Sequence, residues 1–504
     1  MQPLHKNKTM EILSPEQIRL CDLQYLDYKG VESVDLMENA AIALKNELLS
    51  RFSKESVFQI LCGTGNNGGD GLALARLLKA EGYGVEVEIF RFSDKASKDF
   101  SINYDRLQKV GASINEYESS NDFFLYPGAI IVDALFGVGL SRPLEGEWLT
   151  IIQKVNDGDN KVVSIDVPSG LLCEAFPSLQ VIEADLTLTF ERPKLCFFLK
   201  ESAAFIGELK ILPIGLNQKF IGSFKDNETI ELSTVKLLHK KREKFGHKGT
   251  YGHALIIAGS EGKMGAAVLA SKSCINGGAG LVTAIVPGKG LNIIQTAVPE
   301  VMAFPGGEGY EIEYITSLEQ FDAVGVGPGL GTFKKAEKLL SQILKLVSSP
   351  LVLDADALNA IAQDSALKTR LLHRSAVGLE TVLTPHPLEA ARLLDCSVEE
   401  VQRDRLASAQ ELAQNTQCVV VLKGSGTVIA APGQTPGINP SGHPRLACAG
   451  TGDVLAGLLG AALARGLLAS PAAQWAVYHH GRAASNWPDG LAFSAEGLAR
   501  HLHL

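Results

Sequence analysis

Two glycine-rich segments of unlike sequence stand near opposite ends of this 504-residue chain, each placed to open a helix. GTGNNGGDG, Gly63 to Gly71, follows the apolar run Val57 to Leu61, and AGTGDVLAG, Ala449 to Gly457, leads into a long Ala/Leu/Gly helix. The first turn of a helix leaves backbone N–H groups unpaired and carries a partial positive charge, so either loop can cradle a phosphate. Two such loops so far apart point to two active domains acting on phosphorylated ligands. One ordinary core does not grow to this length, and two domains of similar size are the expectation.

Between the loops the pattern is alternating. Ser14-Pro15-Glu16-Gln17 has the form of a capped helix start, and a second helix is expected from about Val34 to Leu49. Apolar strand-like runs then alternate with helical patterns: Val57–Leu61, Val85–Phe90, Ile130–Val132, Val162–Ile165 and Leu186–Phe190. Near-continuous apolar runs between helices predict a parallel sheet covered on both faces, hence an α/β Rossmann-like three-layer sandwich ending near Leu212. Periodicity fades between Leu216 and Thr250, which places a linker at about 217–232. The first domain then spans 1–216 and the second 233–504. The alternation resumes at Ala254–Ala258, Val282–Val286, Ala323–Val326, Leu351–Asp354, Val382–Thr384 and Val419–Leu422, and the chain ends in helices.

Composition excludes several classes. A net charge of -9 argues against nucleic acid as a partner, and the basic run His239 to Lys244 reads as a solvated face. Eight scattered cysteines without a CxxC pair fit a reducing cytoplasm better than a disulfide framework or a zinc site. No secretory pattern opens the sequence. The apolar stretch Val454 to Leu468 is short and holds Arg465, so a buried helix is expected rather than a membrane span. Small-molecule substrates and a homo-oligomeric state complete the expected partners.

In the first half, polar loops leave apolar strands where an open α/β sheet binds ligands: Asn66–Asp70, VDALFGVGLSRP (Val132 to Pro143) and SIDVPSG (Ser164 to Gly170). Gly137 and Gly139 allow close backbone approach, and Arg142 can meet a phosphate. Asn67, Asp133 and Ser169 form an all-oxygen set suited to a hard, monovalent cation. The bland alternative is that Asp133 and Asp166 only cap helices or turns. For either residue alone the two readings are evenly balanced, whereas the full set favours function. These motifs resemble the NAD(P)H-hydrate epimerases, the YjeF N-terminal family, over roughly Ser14 to Leu212. The resemblance implies that Asn66, Asn67, Gly68, Gly69, Asp70, Gly137, Val138, Gly139, Leu140, Ser141, Arg142, Pro143 and Asp166 contact the hydrated nicotinamide nucleotide. It further implies a potassium ion on Asn67, Asp133 and Ser169. Asp166 is the candidate acid/base for inverting the carbon that bears the hydroxyl; the alternative is that it only orients the ligand.

In the second half, AGTGDVLAG is joined by GVGPGLG (Gly325 to Gly331), DADALN (Asp354 to Asn359), LTPHPLEA (Leu383 to Ala390) and LKGSGTVI (Leu422 to Ile429). Glycine amides can hold a phosphoryl group while Asp453 takes a proton from an attacking hydroxyl. Taken alone, Asp453 reads as a helix cap and His386 as structural; their surroundings favour ligand contact. GTGD before an Ala/Gly helix resembles the anion hole of ribokinase-like kinases. The full series resembles, more narrowly, the ADP-dependent NAD(P)H-hydrate dehydratases, the YjeF C-terminal family, from about Lys248 onward. That resemblance implies that Ala266, Gly329, His386 and Asp453 bind the hydrate. It places ADP, with Mg²⁺, on Lys423, Gly424, Ser425, Gly426, Thr427 and Gly452. Ala447-Cys448 departs from the Asn-Ala expected before the loop. The whole is then a bifunctional repair enzyme: one half exchanges the R and S hydrates, and the other dehydrates the S hydrate as ADP goes to AMP and phosphate. The rival is a ribokinase-like vitamin or sugar kinase fused to a Rossmann-like nucleotide-binding module, against which TPHPLE and DADALN count. A third reading makes the first half a non-catalytic ligand-binding module.

Overall fold

The computed structural model describes residues 11–92, 95–173, 180–221, 227–229, 235, 238, 242–315, 318–331 and 333–502. The expected linker at 217–232 and the basic run from His239 lie partly outside these residues. The chain separates into two compact units, divided between Asp226 and Asn227.

The first unit opens with α1, Pro15–Lys29. Its start is the capping box expected from the sequence: Gln17 N–H donates to Ser14 Oγ at 3.2 Å, and Ser14 N–H donates to Gln17 Oε1 at 2.9 Å. Gly30 ends it in the left-handed region. α2, Ser33–Arg51, precedes a seven-stranded sheet: β1 Val57–Cys62, β2 Gly84–Phe90, β3 Ser113–Tyr117, β4 Ile130–Ala134, β5 Val162–Ile165, β6 Leu186–Phe190 and β7 Glu208–Leu212. The order is β3-β2-β1-β4-β5-β6-β7, parallel throughout. This is the doubly wound arrangement, with the direction of winding reversing between β1 and β4. Helices α3 (Asn66–Ala80), α4 (Lys98–Lys109) and α5 (Glu147–Asn156) supply crossovers. Separate apolar clusters hold the two faces, one around Leu44, Phe58, Leu72 and Val132, the other around Leu61, Phe90, Ile131 and Ile151.

The second unit has the same logic with a variation. Strands β8 His253–Ile257, β9 Leu281–Val286, β10 Met302–Pro305, β11 Ala323–Val326, β12 Leu351–Leu353, β13 Thr381–Leu383 and β14 Val419–Leu422 are parallel. β15 Thr427–Ala430 and β16 Gly437–Asn439 follow as antiparallel strands. They run in the order β16-β15-β14-β13-β12-β11-β8-β9-β10, and the winding reverses between β8 and β11. The antiparallel pair arises because Lys423–Gly426 is the turn of a hairpin joining β14 to β15.

One face of this sheet packs α6 (Met264–Asn276), α11 (Thr451–Ala464) and α12 (Ala469–Ser485); the other packs α7 (Phe333–Leu346), α8 (Asp356–Gln363), α9 (Pro387–Leu394) and α10 (Arg405–Thr416). α11 is buried from Val454 to Ala464, so its apolar character belongs to a central helix. At Gly457 a Cβ would lie 1.9 Å from Ala270 O, so only glycine lets α11 and α6 meet backbone to backbone. No helix among the described residues is long and apolar enough to cross a membrane.

Candidate functional sites

In both units the polar loops gather at the carboxyl ends of the parallel strands, where the winding reverses. That is where an open α/β sheet leaves a crevice for ligands.

In the first unit, β1 runs through GTG into α3, whose N-cap Gly65 offers no side-chain acceptor. Among the described residues the amides of Asn67 and Gly68 have no hydrogen-bond acceptor, as at any open helix start able to receive an anion. Gly68 has a second reason to be glycine, since a Cβ there would lie 1.8 Å from Gly63 O. Asn67 is nine-tenths buried, and its amide nitrogen lacks a partner. Its Oδ1 lies 3.0 Å, and Asp166 Oδ2 3.4 Å, from the position a Cβ on Gly137 would take, so three of the predicted residues converge. Ser141, Arg142 and Pro143 are exposed further along the same loop.

Asp133 is fully buried and ties these loops together. Its carboxylate accepts from Ser169 Oγ (2.5 Å), Ser169 N–H (2.8 Å), Ser164 Oγ (2.8 Å) and Leu135 N–H (3.3 Å). Burial raises its pKa, with those bonds pulling the other way. The turn-capping alternative thus describes Asp133 as it stands, because four donors fill the capacity of a carboxylate. Ser169 Oγ also accepts from Phe136 N–H at 2.9 Å.

Asp166 is not a cap. It has φ +66°, uncommon outside glycine, at the centre of a tight turn in which Val167 N–H donates to Ile165 O at 2.8 Å. Held strain of this kind gathers at functional positions. Its Oδ1 meets Lys194 Nζ at 2.6 Å and Thr189 Oγ1 at 3.1 Å, and Lys194 is itself 1% exposed. Sequence reasoning missed Lys194, Thr189 and also Asp22 of α1. The Asp22 carboxyl is pushed up to about 7, by burial first and then by the charge of Asp166, with Lys194 opposing. Burial, followed by the charges of Asp166, Asp22 and Asp99, pushes Asp70 well above the usual carboxylate range.

In the second unit, α11 begins at Thr451 behind Gly450, which sits at φ +90° and makes no side-chain cap bond. Asp453 is in the first turn and accepts no hydrogen bond among the described residues, so it is not the cap either. Nor do the N–H groups of Gly452 and Asp453 find an acceptor there. A Cβ on Gly452 would stand 3.6 Å from Lys423 Nζ. That ammonium lies 2.8 Å from Asp354 Oδ1 and 3.8 Å from Glu389 Oε2. Burial works to lower the pKa of Lys423, but the two carboxylates outweigh it and hold it above its ordinary value. Burial pushes Asp453 up to about 6, reinforced by Asp354 and Asp356 and opposed by Lys423.

DADALN supplies more than the sequence assigned to it. Ala355 has φ +48°, and the turn it makes sets Asp354 and Asp356 on either side. Asp354 accepts from Thr384 Oγ1 at 2.7 Å, and Asp356 from Gly331 N–H at 3.0 Å and Lys263 Nζ at 3.2 Å. Gly329 meets Ala266, since a Cβ on the glycine would lie 3.2 Å from that of the alanine.

His386 has a structural duty: its Nδ1 accepts from Leu388 N–H (3.2 Å) and Glu389 N–H (3.3 Å), capping α9. This fixes the proton on Nε2, which faces Glu389 Oε1 at 3.3 Å. Burial first, then Lys423, lowers its pKa and keeps the ring neutral. Lys423 is at the site, while Gly424 and Ser425 are exposed at the hairpin turn. Arg405 braces that turn through Leu422 O (3.1 Å) and Lys423 O (3.2 Å). Buried His480 braces the start of α11 through Thr451 O at 2.9 Å.

Two family models match the chain: one described as YjeF-related protein N-terminus over residues 33–196, the other as NAD(P)H-hydrate dehydratase over residues 254–501. The bifunctional NAD(P)H-hydrate repair enzyme Nnr of Thermofilum pendens is 35% identical over 493 residues, which cover 94% of this chain and 91% of that protein. Its namesake in Escherichia coli is 34% identical over 476 residues, covering 93% and 88%. Among solved structures, an ADP/ATP-dependent NAD(P)H-hydrate dehydratase of Bacillus subtilis, co-crystallized with ATP/Mg²⁺, is 32% identical. It covers 53% of this chain and 93% of its own, with a TM-score of 0.47.

Proposed function

The chain belongs to the bifunctional NAD(P)H-hydrate repair enzymes, with an epimerase and an ADP-dependent dehydratase domain, and from that premise we propose how its residues divide the work. Residues 1–216 exchange the R and S hydrates, 217–232 connect, and 233–504 dehydrate the S hydrate while ADP becomes AMP and phosphate.

The observation that carries the dehydratase assignment is Asp453, an uncapped carboxylate beside free helix amides and a lysine. A hydroxyl is a poor nucleophile and must lose its proton as it attacks phosphorus. Asp453 takes that proton, and the amides of Gly452 and Asp453 receive the phosphoryl charge. A carboxyl near 6 is largely ionised at neutral pH yet basic enough to accept. The phosphate then leaves with the C–O electron pair, and loss of a proton from the neighbouring carbon restores the ring double bond. Ala266, Gly329 and the Nε2–H side of His386 line the hydrate's place; Lys423 to Thr427 and Gly452 take ADP. Mg²⁺, bound with the diphosphate, would balance its charge there.

In the epimerase domain, Asn66 to Asp70 and Gly137 to Pro143 hold the nucleotide, and Asp166 is the acid/base. Asn67 Oδ1, the Ser169 hydroxyl and the charge of Asp133 behind it supply an oxygen set that fits potassium. The ion would orient the loops and balance phosphate charge.

Mixed hydrate epimers with ADP test the proposal. Recovery of the reduced-nicotinamide absorbance from both epimers is expected. No recovery, together with phosphorylation of a sugar or vitamin, would favour the kinase reading.

A further inference from the structure

Helix α1 lies outside the stretch matched by the N-terminal family model, which begins at residue 33. One of its faces nevertheless borders the site. Arg19 Nη2 is 3.9 Å from the position a Cβ on Gly139 would take, which puts the guanidinium over the 137–143 loop. Three residues on, and so on the same side of the helix, Asp22 feels the charges of Asp166 and Lys194. Asp22 is partly buried and accepts no hydrogen bond among the described residues. At Gly137 of the same loop, Asn67 and Asp166 converge, and Asn67 is nine-tenths buried with an amide nitrogen that has no partner among the described residues. A guanidinium over this loop and an unpartnered carboxyl three residues on along the same helix face match a ligand with a phosphate and a proton-accepting oxygen.

We propose that α1 completes the epimerase site: Asp22 is the proton donor that works with Asp166, and Arg19 receives a phosphate of the nucleotide. This rests on the epimerase assignment above.

A hydrate of dihydronicotinamide carries its hydroxyl on the carbon bonded to the ring nitrogen. The enamine protonates at its far carbon, and water adds to the resulting C=N⁺. Inverting that centre requires the C–O bond to break and re-form on the other face. The Asp22 carboxyl gives its proton to the departing hydroxyl oxygen, which leaves as water with the C–O electron pair while the nitrogen lone pair closes C=N⁺. Water adding to the opposite face forms the new C–O bond and loses a proton to the Asp166 carboxylate. One water leaves, one enters, and one proton passes from Asp22 to Asp166, to be returned through solvent. The reverse reaction exchanges the two roles.

Such a pair must hold one carboxyl protonated while the other is ionised. Asp166 has the ion pair with Lys194, and Asp22 has none among the described residues. The charged groups around Asp22 are Asp166, Lys194 and Glu191 from the strand-end loops, Asp70 from α3, and Cys21 and Arg19 on its own helix. Burial, and the predominance of negative charge around it, push Asp22 up to about 7. Its donor form is therefore present below that pH and lost above it.

The test is exchange of separated hydrates by the full chain without ADP, corrected for spontaneous exchange. Asp22→Asn keeps the shape but cannot donate a proton. Its kcat should fall roughly 10²-fold or more, and the parent's loss of rate as pH rises through about 7 should vanish. Asp22→Glu, which retains the acid, should recover part of the rate. Arg19→Ala should raise KM for the hydrate about tenfold, with kcat near the parent value. Circular dichroism and the unfolding midpoint of the first unit report that each variant is folded, and ADP-dependent dehydration reports that the second unit is undisturbed. If Asp22→Asn exchanges epimers within about twofold of the parent with an unchanged pH profile, or Arg19→Ala leaves KM unchanged, the corresponding role of α1 is overturned. A parent that exchanges nothing would instead overturn the epimerase assignment.

Discussion

Asp453→Asn separates the two readings of a carboxylate at a helix start, because they differ in the sign of a stability change as well as in rate. A capping Asp is stabilised by its helix, titrates below its ordinary range, and costs about 1 kcal/mol to remove. Asp453 is pushed from 3.8 up to about 6 by burial and by Asp354, with Lys423 opposing. The sign follows directly. Below about pH 4 the carboxyl is protonated in both the folded and unfolded chain and contributes nothing. Between 4 and 6 the unfolded chain releases the proton first, so a penalty on the fold builds up, and above 6 it is complete. The gap corresponds to on the order of 2–3 kcal/mol, less what solvent at the cleft screens. Asp453→Asn should therefore unfold at a higher temperature than the parent at pH 7, with the gain disappearing near pH 4. Turnover of the S hydrate should fall roughly 10²–10⁴-fold, equivalent to about 3–5 kcal/mol of barrier, with ADP binding nearly unchanged. In the parent, kcat/KM should rise with pH through about 6, and the variant should lose that limb. Thermal unfolding at the two pH values, beside single-turnover dehydration, is the assay. A variant destabilised at pH 7 that still turns over near the parent rate would refute both the base and the electrostatics behind it.

Lys423→Met should strand the buried Asp354 carboxylate and cost about 3–5 kcal/mol, seen as a fall in the unfolding midpoint of the dehydratase unit. Adding Asp354→Asn should restore stability but not ADP-dependent turnover; failure to restore stability would mean the pair is not the source of the loss. Gly68→Ala meets Gly63 O at 1.8 Å and should abolish epimerisation and unfold the first unit, whereas Gly65→Ala, with nothing within 4 Å, should retain both; circular dichroism and epimer exchange distinguish them. Replacing potassium by a bulky organic cation should slow epimer exchange and leave dehydration of the S hydrate unaffected, and equal slowing of both would count against an ion on Asn67 and Ser169.

Loops that carry their own chemistry were legible in the sequence. GTGNNGGDG, SIDVPSG and AGTGDVLAG announce themselves because glycine, Asn and Asp beside an apolar run serve few purposes, and strands buried on both faces write continuous apolar runs. Ser113–Tyr117 and Glu208–Leu212 left no such trace. As edge strands of the first sheet they alternate polar and apolar residues and are partly exposed. The β15 hairpin strand was hidden for another reason: its Thr427–Ala430 run directly follows KGSG, which reads equally well as a phosphate loop. Asp22 and Lys194 lay beyond local pattern, and DADALN and LTPHPLEA gave no sign of the parts Asp354 and Glu389 play within them. Each acquires its character from surroundings distant in sequence: Lys194 from Asp166, Asp22 from burial and then Asp166, Asp354 and Glu389 from Lys423. Ala355 at φ +48° and Asp166 at φ +66° are likewise imposed by the surrounding loops. His386 shows the converse: a rigid Pro-His-Pro setting suggested a ligand, and half of the ring turns out to cap a helix.

The division of labour is tested most directly by supplying only the R hydrate, with excess ADP, to the full chain and to Asp166→Asn. The parent should return the whole of it to reduced nicotinamide nucleotide, through exchange and then dehydration. Asp166→Asn should recover it no faster than spontaneous exchange allows, while dehydrating the S hydrate at the parent rate. If Asp166→Asn restores the R hydrate as fast as the parent, the first unit is not the epimerase and the two-site account fails.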